Sequence, residues 1–592
     1  MSEVNVDQKN ISVPLPADCI YEIIQYLIHD VKTLQSCVTI NQTFCQVTIP
    51  ILWSNPFKFI QDKEKRGIII RTYFSCLDEQ EKNQITTFLH KSVSDFPRPF
   101  INYPSFLQEF ELLSLQESMR VFLRQYYSVS PTENRINSII RILNPFIGKL
   151  FFNDQSNFKY MNVSLRDSLG LEKNQLDMSS YGEVLERVLS NIDKFSFGFR
   201  LDIHKKTELF TFIKRNAEKL TNIISQHNKN IQHVSFYFAC LSPYLRQRKN
   251  KLRKLNISIE YDRFIEILNN FIISLKNLKS LEIPCFWRHN DFVNLFKGHS
   301  HSLTYLRLYE IFNCSIVLNI LNNCPNLKTM ELISFTFYDN KEDNSIFDKP
   351  ITSNLNNLYM TIPSNYFLVF KLFEKIVSTS NNNLKTLFFN KQQYYYSSFN
   401  EFNNITQLIQ PFCTNLTHLF IKIVNERGII YFLRNLRHLK HLKLGCFAYN
   451  NLKVDNIMEL ARSFSPTLKI LEIDAFISEE MLKVLLQEGK CDLNELYIKA
   501  NLNETILRIV MDYARQRTSL KIFRYSNDGN LCSILYPSPQ LLEEARNLFT
   551  IDDNPEPFTT PFGLLTTNTY RLEDDDDNLR NIILIAMKPG GC

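Results

Sequence analysis

The chain reads as an α/β protein in which short strands and helices alternate along a repeat, and three observations carry that reading. A phrase of six residues, Leu-x-x-Leu-x-Leu with Ile, Met, Phe or Tyr standing in for the later leucines, recurs from Leu252 to Tyr525 in steps of 23 to 32 residues. Within each phrase the last two apolar residues alternate with polar ones, which is the period of a strand with one buried face. Between phrases the period lengthens to that of a helix: Phe264, Ile267, Leu268, Phe271, Ile272 and Leu275 share one helical face ahead of Leu278.

A strand, turn and helix of this size cannot bury its apolar side alone, so neighbours stack and share a continuous core. The phrases are Leu252-Leu255-Ile257, Leu278-Leu281-Ile283, Leu303-Leu306-Leu308, Leu327-Met330-Leu332, Leu355-Leu358-Met360, Leu384-Leu387-Phe389, Leu416-Leu419-Ile421, Leu439-Leu442-Leu444, Leu468-Leu471-Ile473, Leu493-Leu496-Ile498 and Leu520-Phe523-Tyr525. Their length and wording resemble the leucine-rich repeat, and Cys324-Pro325-Asn326-Leu327 resembles its cysteine-containing class. That resemblance implies a solenoid with parallel strands on the concave face and helices outside.

Taken in order, residues 1–13 are polar and read as a disordered N-terminus. Structure is expected from Leu15-Pro16: Asp18 favours a first helical turn, and Ile20, Ile23, Ile24, Leu27 and Ile28 keep helical spacing. Asp30 can cap a second helix carrying Val31, Leu34, Cys37 and Val38. A third segment holds Ile40, Phe44 and Val47 until Pro50 is expected to stop it, and Leu52-Trp53 closes the unit. Three short helices make a marginal core, so a partner surface is expected to complete it.

These residues resemble an F-box, the module by which substrate receptors dock on the Skp-type adaptor of SCF ubiquitin ligases. The likeness rests on Leu15-Pro16-Ala17-Asp18-Cys19-Ile20, the run Ile24 to Leu27, Leu34, and the closing Ile49-Pro50-Ile51-Leu52-Trp53. The ending Pro50 to Pro56 is similar to that of large fungal sets of such proteins. The chain departs from the pattern at Gln42 and Phe44, where many members place a basic residue and a tryptophan. The resemblance implies an adaptor contact through Leu15, Pro16, Ile20, Ile24, Leu27, Leu34, Leu52 and Trp53, with cullin and RING subunits reached through the adaptor.

The domain reading is a module at 14–56, a helical linker with degenerate repeats at 57–190, the solenoid at 191–526, and a C-terminal cap with an acidic tail at 527–592. Within 57–190 the prolines Pro97, Pro99 and Pro104 imply a loop, flanked by helical spacing from Leu107 to Tyr127 and from Ile136 to Phe152. Phe195 to Ile203 reads as a strand, Glu208 to Ile224 as a helix, and Ile231-Val234-Phe236 as a worn phrase. In the tail, Glu573 and Asp574 to Asp577 form an acidic run, and Ile582 to Met587 has the composition of a strand.

Several function classes find no residues to support them. The net charge of +6 over 592 residues is too mild to argue for nucleic acid. No apolar stretch approaches the roughly 20 residues of a membrane span, and the N-terminus lacks a signal-peptide layout, so a cytoplasmic or nuclear protein is expected. Thirteen cysteines without a C-x-x-C pair argue against a disulfide framework or zinc module. No phosphate-loop, dinucleotide, nucleophile-elbow or H-E-x-x-H motif occurs, so no catalytic residue, cofactor or metal is assigned. The spacing of His289, His299 and His301 suits a loop better than a metal site, and Asn162-Val163-Ser164 reads as a turn-like tripeptide.

The informative positions are those that strand alternation turns away from the core. They give Tyr305, Arg307, Tyr309, Tyr359, Phe388, His418, Phe420, Lys422, His441, Lys443 and Tyr497 as the candidate ligand surface, rich in types enriched at binding hot spots. An aromatic strip at Phe388 and Phe420 bordered by Lys422 and Lys443 suits an acidic or phosphorylated segment of a protein substrate. The leading expectation is therefore a non-catalytic substrate receptor. The alternatives are a leucine-rich scaffold without a ligase role, or an RNA-binding solenoid using Arg307, Lys422 and Lys443.

Overall fold

The computed structural model describes residues 15–28, 30–60, 62, 65–89, 96–126, 132–166, 182–200, 207–228, 230–239, 257–284, 296, 298–311, 314–335, 347–348, 351, 353–362, 367–380, 382–391, 410–422, 426–445, 454–499, 502–526 and 537–552. Two compact units divide between Leu275 and Lys276. Among the described residues no helix is long and apolar enough to cross a membrane.

The first unit opens with three helices, α1 (Ala17–Tyr26), α2 (Val31–Val38) and α3 (Gln42–Ser54). Ile20, Ile24, Leu34, Cys37 and Ile51 form their shared core, with Leu27, Ile28, Phe44, Val47 and Leu52 packed around it. Phe44 thus fits the core in its own right. The Asp30 carboxylate accepts the Thr33 N–H at 3.1 Å, and the Asn41 side chain accepts that of Phe44 at 3.0 Å, so both later helices carry the caps their first turns need. Pro50 does not stop α3, which continues to Ser54. The residue whose carbonyl loses a partner is Gln46, on the exposed side, while Cys45, Ile49 and Ile51, before and after the proline, are buried.

Four further helices follow, α4 (Pro56–Phe59), α5 (Arg66–Ser75), α6 (Glu79–Leu89) and, after a 3-10 turn at Tyr103–Phe106, α7 (Leu112–Tyr126). Strand β1 (Glu109–Glu111) precedes α7 directly. A Cβ at Gly67 would stand 2.4 Å from Gln125 Oε1 and 3.2 Å from the Phe122 backbone, so glycine is what lets α5 lie close on α7. Then come α8 (Glu133–Phe151), β2 (Tyr160–Arg166), α9 (Gly182–Ser190), β3 (Lys194–Arg200), α10 (Thr207–His227), β4 (His233–Ala239) and α11 (Ile257–Ser274). Strands β1 to β4 pair in parallel and in chain order. Asn162 lies within β2, not in a turn.

The phrase at Leu252 is a correction. Its last apolar residue, Ile257, is the first residue of α11, and the strand before that helix is β4 at the worn phrase. Ile257 falls seven residues before Phe264 and so extends the helical series of the sequence.

The three-helix module is joined to the start of the sheet. Gln108 donates its N–H to the Ser54 carbonyl at 3.0 Å, and Asn55 Nδ2 donates to Glu109 Oε2 at 2.6 Å. Trp53 packs against Tyr103 at a ring separation of 4.2 Å and against Tyr73 at 5.4 Å. The module therefore also serves as the cap that covers β1, one of the roles terminal elements fill in repeat proteins.

In the second unit the strands are β5 (Ser280–Pro284), β6 (Tyr305–Ile311), β7 (Thr329–Phe335), β8 (Asn357–Ile362), β9 (Thr386–Lys391), β10 (His418–Lys422), β11 (His441–Gly445), β12 (Ile470–Phe476), β13 (Glu495–Lys499), β14 (Ile522–Ser526) and β15 (Thr550–Asp552). All pair in parallel and in chain order, so the unit is a stretch of leucine-rich-repeat solenoid. Its described helices are α12 (Cys314–Asn323), α13 (Phe367–Thr379), α14 (Glu426–Leu433), α15 (Val454–Arg462), α16 (Glu479–Glu488), α17 (Glu504–Arg517) and α18 (Pro539–Arg546). The phrase leucines, from Leu281 and Leu306 to Leu442 and Leu496, are buried between strands and helices.

One backbone device repeats along this unit. The carbonyl of the residue before a strand accepts two N–H groups from the next repeat: Lys279 from Thr304 and Tyr305, Lys328 from Asn356 and Asn357, Lys385 from Thr417 and His418, Lys440 from Lys469 and Ile470. Side chains reinforce it where Asn326 Nδ2 donates to the His301 carbonyl at 2.9 Å and Asn415 Nδ2 to that of Asn382 at 2.9 Å. Backbone donors at each turn are thereby satisfied by the neighbouring repeat.

Candidate functional site

On the strand face turned away from the helices, pairing sets one side chain from each phrase in register. The row runs Glu282, Arg307, Glu331, Tyr359, Phe388, Phe420, Lys443, Glu472, Tyr497 and Arg524 from β5 to β14. Ring contacts join its centre: Tyr359 to Phe388 at 6.0 Å, Phe388 to Phe420 at 5.9 Å, and Phe420 to His441 at 4.8 Å. The structure thus brings most of the expected ligand residues together.

It also shows that their charges are answered from within. Arg307 Nε lies 3.1 Å from Glu331 Oε2 and Nη1 lies 3.9 Å from Glu282 Oε2, while its guanidinium sits 5.0 Å from the Tyr309 ring centre. Glu472 accepts from His441 Nε2 and from Lys443 Nζ, each at 2.7 Å. Arg524 pairs with Glu495 at 3.0 Å. The expected border of positive charge at Lys443 is therefore neutralised, and Glu282, Glu331 and Glu472 occupy the same phrase position as Arg307 and Lys443, while Glu495 opens β13. The shared position was readable in the sequence once acids were sought there as well as bases.

Burial separates the candidates. Tyr305, Arg307, Tyr359, Phe420 and His441 are each more than nine-tenths buried and offer no free surface in this structure, whereas Tyr309, Phe388, His418, Lys443 and Tyr497 are half-buried. Lys422 lies in β10, with its side chain outside the described residues. Burial raises the Tyr359 hydroxyl to about 12, and it raises the Glu331 carboxyl to about 7 against the pull of Arg307. Burial lowers His418, helped by the nearby His441 and Lys440. On Glu472 burial acts upward, but the bonds from His441 and Lys443 outweigh it and hold the carboxyl low.

In the N-terminal module the expected adaptor residues divide. Leu15 and Pro16 are exposed, but Ile20, Ile24 and Leu34 are the module's own core, and Leu27 and Leu52 are packed against it. Trp53 is held by Tyr73 and Tyr103 at the joint with the sheet. An amphipathic helix must bury its best-spaced apolar residues internally, so those residues are unavailable to a partner. The side chains left outward are Tyr21, Ile23, Tyr26 and Ile40, with Tyr26 at 86% exposure. Ile23 and Tyr26, three apart, share one flank of α1. Tyr26 stands off the apolar series of the sequence, whereas Ile23, counted into that series, turns outward and corrects it.

Among the described residues no group of three or more metal-binding side chains occurs. His289 lies outside the described residues, His299 is buried and His301 is exposed. Cys19, Cys37, Cys76, Cys314, Cys324, Cys413 and Cys491 are free thiols, and Cys45 is disulfide-bonded. The acidic run and the expected final strand lie outside the described residues.

No family model and no curated protein matches the sequence. Solved structures similar to it include the Rad7 and Elc1 complex of yeast (11% identity, 73% of this chain and 94% of that one, TM-score 0.33), a protein of Bacteroides fragilis (9%, 64% and 73%, 0.19), and a TLR13–ssRNA13 complex (11%, 73% and 60%, 0.24). At these TM-scores the likenesses carry no argument about this chain.

Proposed function

We propose that the chain is the non-catalytic substrate-recognition subunit of an SCF-type ubiquitin ligase, working in the cytoplasm or nucleus. The N-terminal module binds a Skp-type adaptor, the repeats hold a protein substrate, and ubiquitin transfer belongs to the cullin and RING subunits. The observation that carries the reading is the apolar surface of the module. Half of the exposed large apolar side chains among the described residues lie between Leu15 and Ile40, on a unit whose own core is five side chains. Such a patch marks a protein contact, because leaving it in water forfeits the burial that would stabilise so small a core.

The test is co-expression with the adaptor. Ile23→Asp with Tyr26→Asp changes only outward positions, so the protein should stay folded while adaptor co-purification is lost. Adaptor retained at wild-type level by the folded variant would remove the ligase role and leave a leucine-rich scaffold.

A further inference from the structure

We propose that the lysines standing immediately before the strands of the second unit form a docking edge for an acidic polypeptide segment. Lys279, Lys328, Lys385, Lys440, Lys469 and Lys521 precede β5, β7, β9, β11, β12 and β14, each directly after the first leucine of its phrase. The doubly accepting carbonyls already described belong to this same column of residues, so the backbone fixes the lysines at one height along the sheet. All are exposed except Lys469, which is half-buried and donates to the Asp492 carbonyl at 3.2 Å. Lys279, Lys328, Lys385, Lys440 and Lys521 have no acidic partner among the described residues. Asp492, the acid on this edge, is taken by Arg517 at 3.2 Å.

The contrast with the strand face decides where an anion would bind. On that face Arg307, Lys443 and Arg524 each have a carboxylate, whereas Lys279, Lys328, Lys385, Lys440 and Lys521 at the strand starts are exposed and have none among the described residues. Exposed Lys276, Arg437 and His438 extend the column. With neighbouring strands about 4.8 Å apart, lysines on every second strand from β5 to β11 stand roughly 10 Å apart. An extended segment in the polyproline II form turns the same face outward every three residues, about 9 Å, so carboxylates at that spacing meet successive lysines. The lysine positions themselves carry no aromatic ring for a base to stack on, and their ammonium groups are point charges without the fork that grips phosphate, Arg437 and His438 lying only at the margin. That favours carboxylates on a polypeptide over a nucleic acid. The assignment rests on the receptor reading only for the view that the segment belongs to a substrate.

The experiment uses the full chain without adaptor and two labelled probes, a peptide with glutamates three residues apart and a single-stranded oligonucleotide of equal formal charge. Lys328→Gln, Lys385→Gln and Lys440→Gln are combined in one variant. Exposed Lys32, Lys58 and Lys483 are changed to Gln in a control of equal charge. Thermal unfolding checks that both fold. Peptide affinity should fall about tenfold in the edge variant, as three exposed pairs allow, with a shallower salt dependence, while the control binds as wild type. Equal losses in both variants, no loss in the edge variant, or tighter oligonucleotide binding that falls with the same lysines would each overturn the proposal. Adaptor co-purification, measured separately on the edge variant, distinguishes failure of this edge from failure of the ligase reading.

Discussion

Glu331 and Glu472 occupy equivalent phrase positions, on β7 and β12, and are both buried, yet their protons behave oppositely. Glu472 has two donors at 2.7 Å, while Glu331 shares a single guanidinium with Glu282. Burial therefore wins at Glu331, whose carboxyl rises from 4.5 to about 7, and loses at Glu472. Because the folded state holds the Glu331 proton more tightly than the unfolded chain, this residue's contribution is fully present below 4.5 and is lost as pH rises through about 7. The window corresponds to roughly 3 kcal/mol. Denaturant unfolding of wild type and Glu331→Gln at several pH values should show the variant lacking that decline, so that their difference changes with pH between 4.5 and 7. Parallel curves would show that Glu331 is ionised throughout. These acids were in the sequence beside the bases that had been singled out, but the pairing depends on register, which brings together residues a whole repeat apart.

At the scale of elements, the joint between the module and β1 and the end of α17 each invite a measurement. Asn55 is buried, accepts the Lys58 N–H at 3.1 Å to cap α4, and donates to Glu109. Asn55→Ala should cost about 2 kcal/mol in denaturant unfolding. Asn55→Asp keeps the capping oxygen but sets a carboxylate against Glu109, so it should cost more; a milder effect than alanine would mean that the bond to Glu109 contributes nothing. Thr518 closes α17 with φ of 50°, and its N–H donates to the Ala514 carbonyl at 2.8 Å. A β-branched residue is strained in this left-handed region, so Thr518→Gly should raise stability by about 1 kcal/mol, read as a higher Tm. The strands and helices around these points were legible because their periods differ. The joint was not, since no spacing in the sequence announces that Trp53 will meet Tyr103.

For the molecule as a whole, the repeats were legible and their surfaces were not. Phrase leucines such as Leu442 can be placed from alternation alone, because a slip of one residue would turn the whole apolar set outward. Which outward residues remain open to a partner depends on what packs over them, so Phe420 and His441 read as surface in the sequence and are buried in the structure. The same dependence hid Ile23 and Tyr26, which became informative only when the core of α1 was known to exclude them. The seam of paired amides on a single carbonyl carries a consequence for ancestry. From Lys279 to Asn494 each repeat offers its successor the same backbone socket and is met by the same two donors, whatever side chains lie between. A tandem copy would find matching sockets at both ends, and an excised repeat would leave neighbours that still fit. Genes for such chains can therefore grow or shrink by whole repeats, with the unequal steps of 23 to 32 residues absorbed between strands while the socket itself stays unchanged.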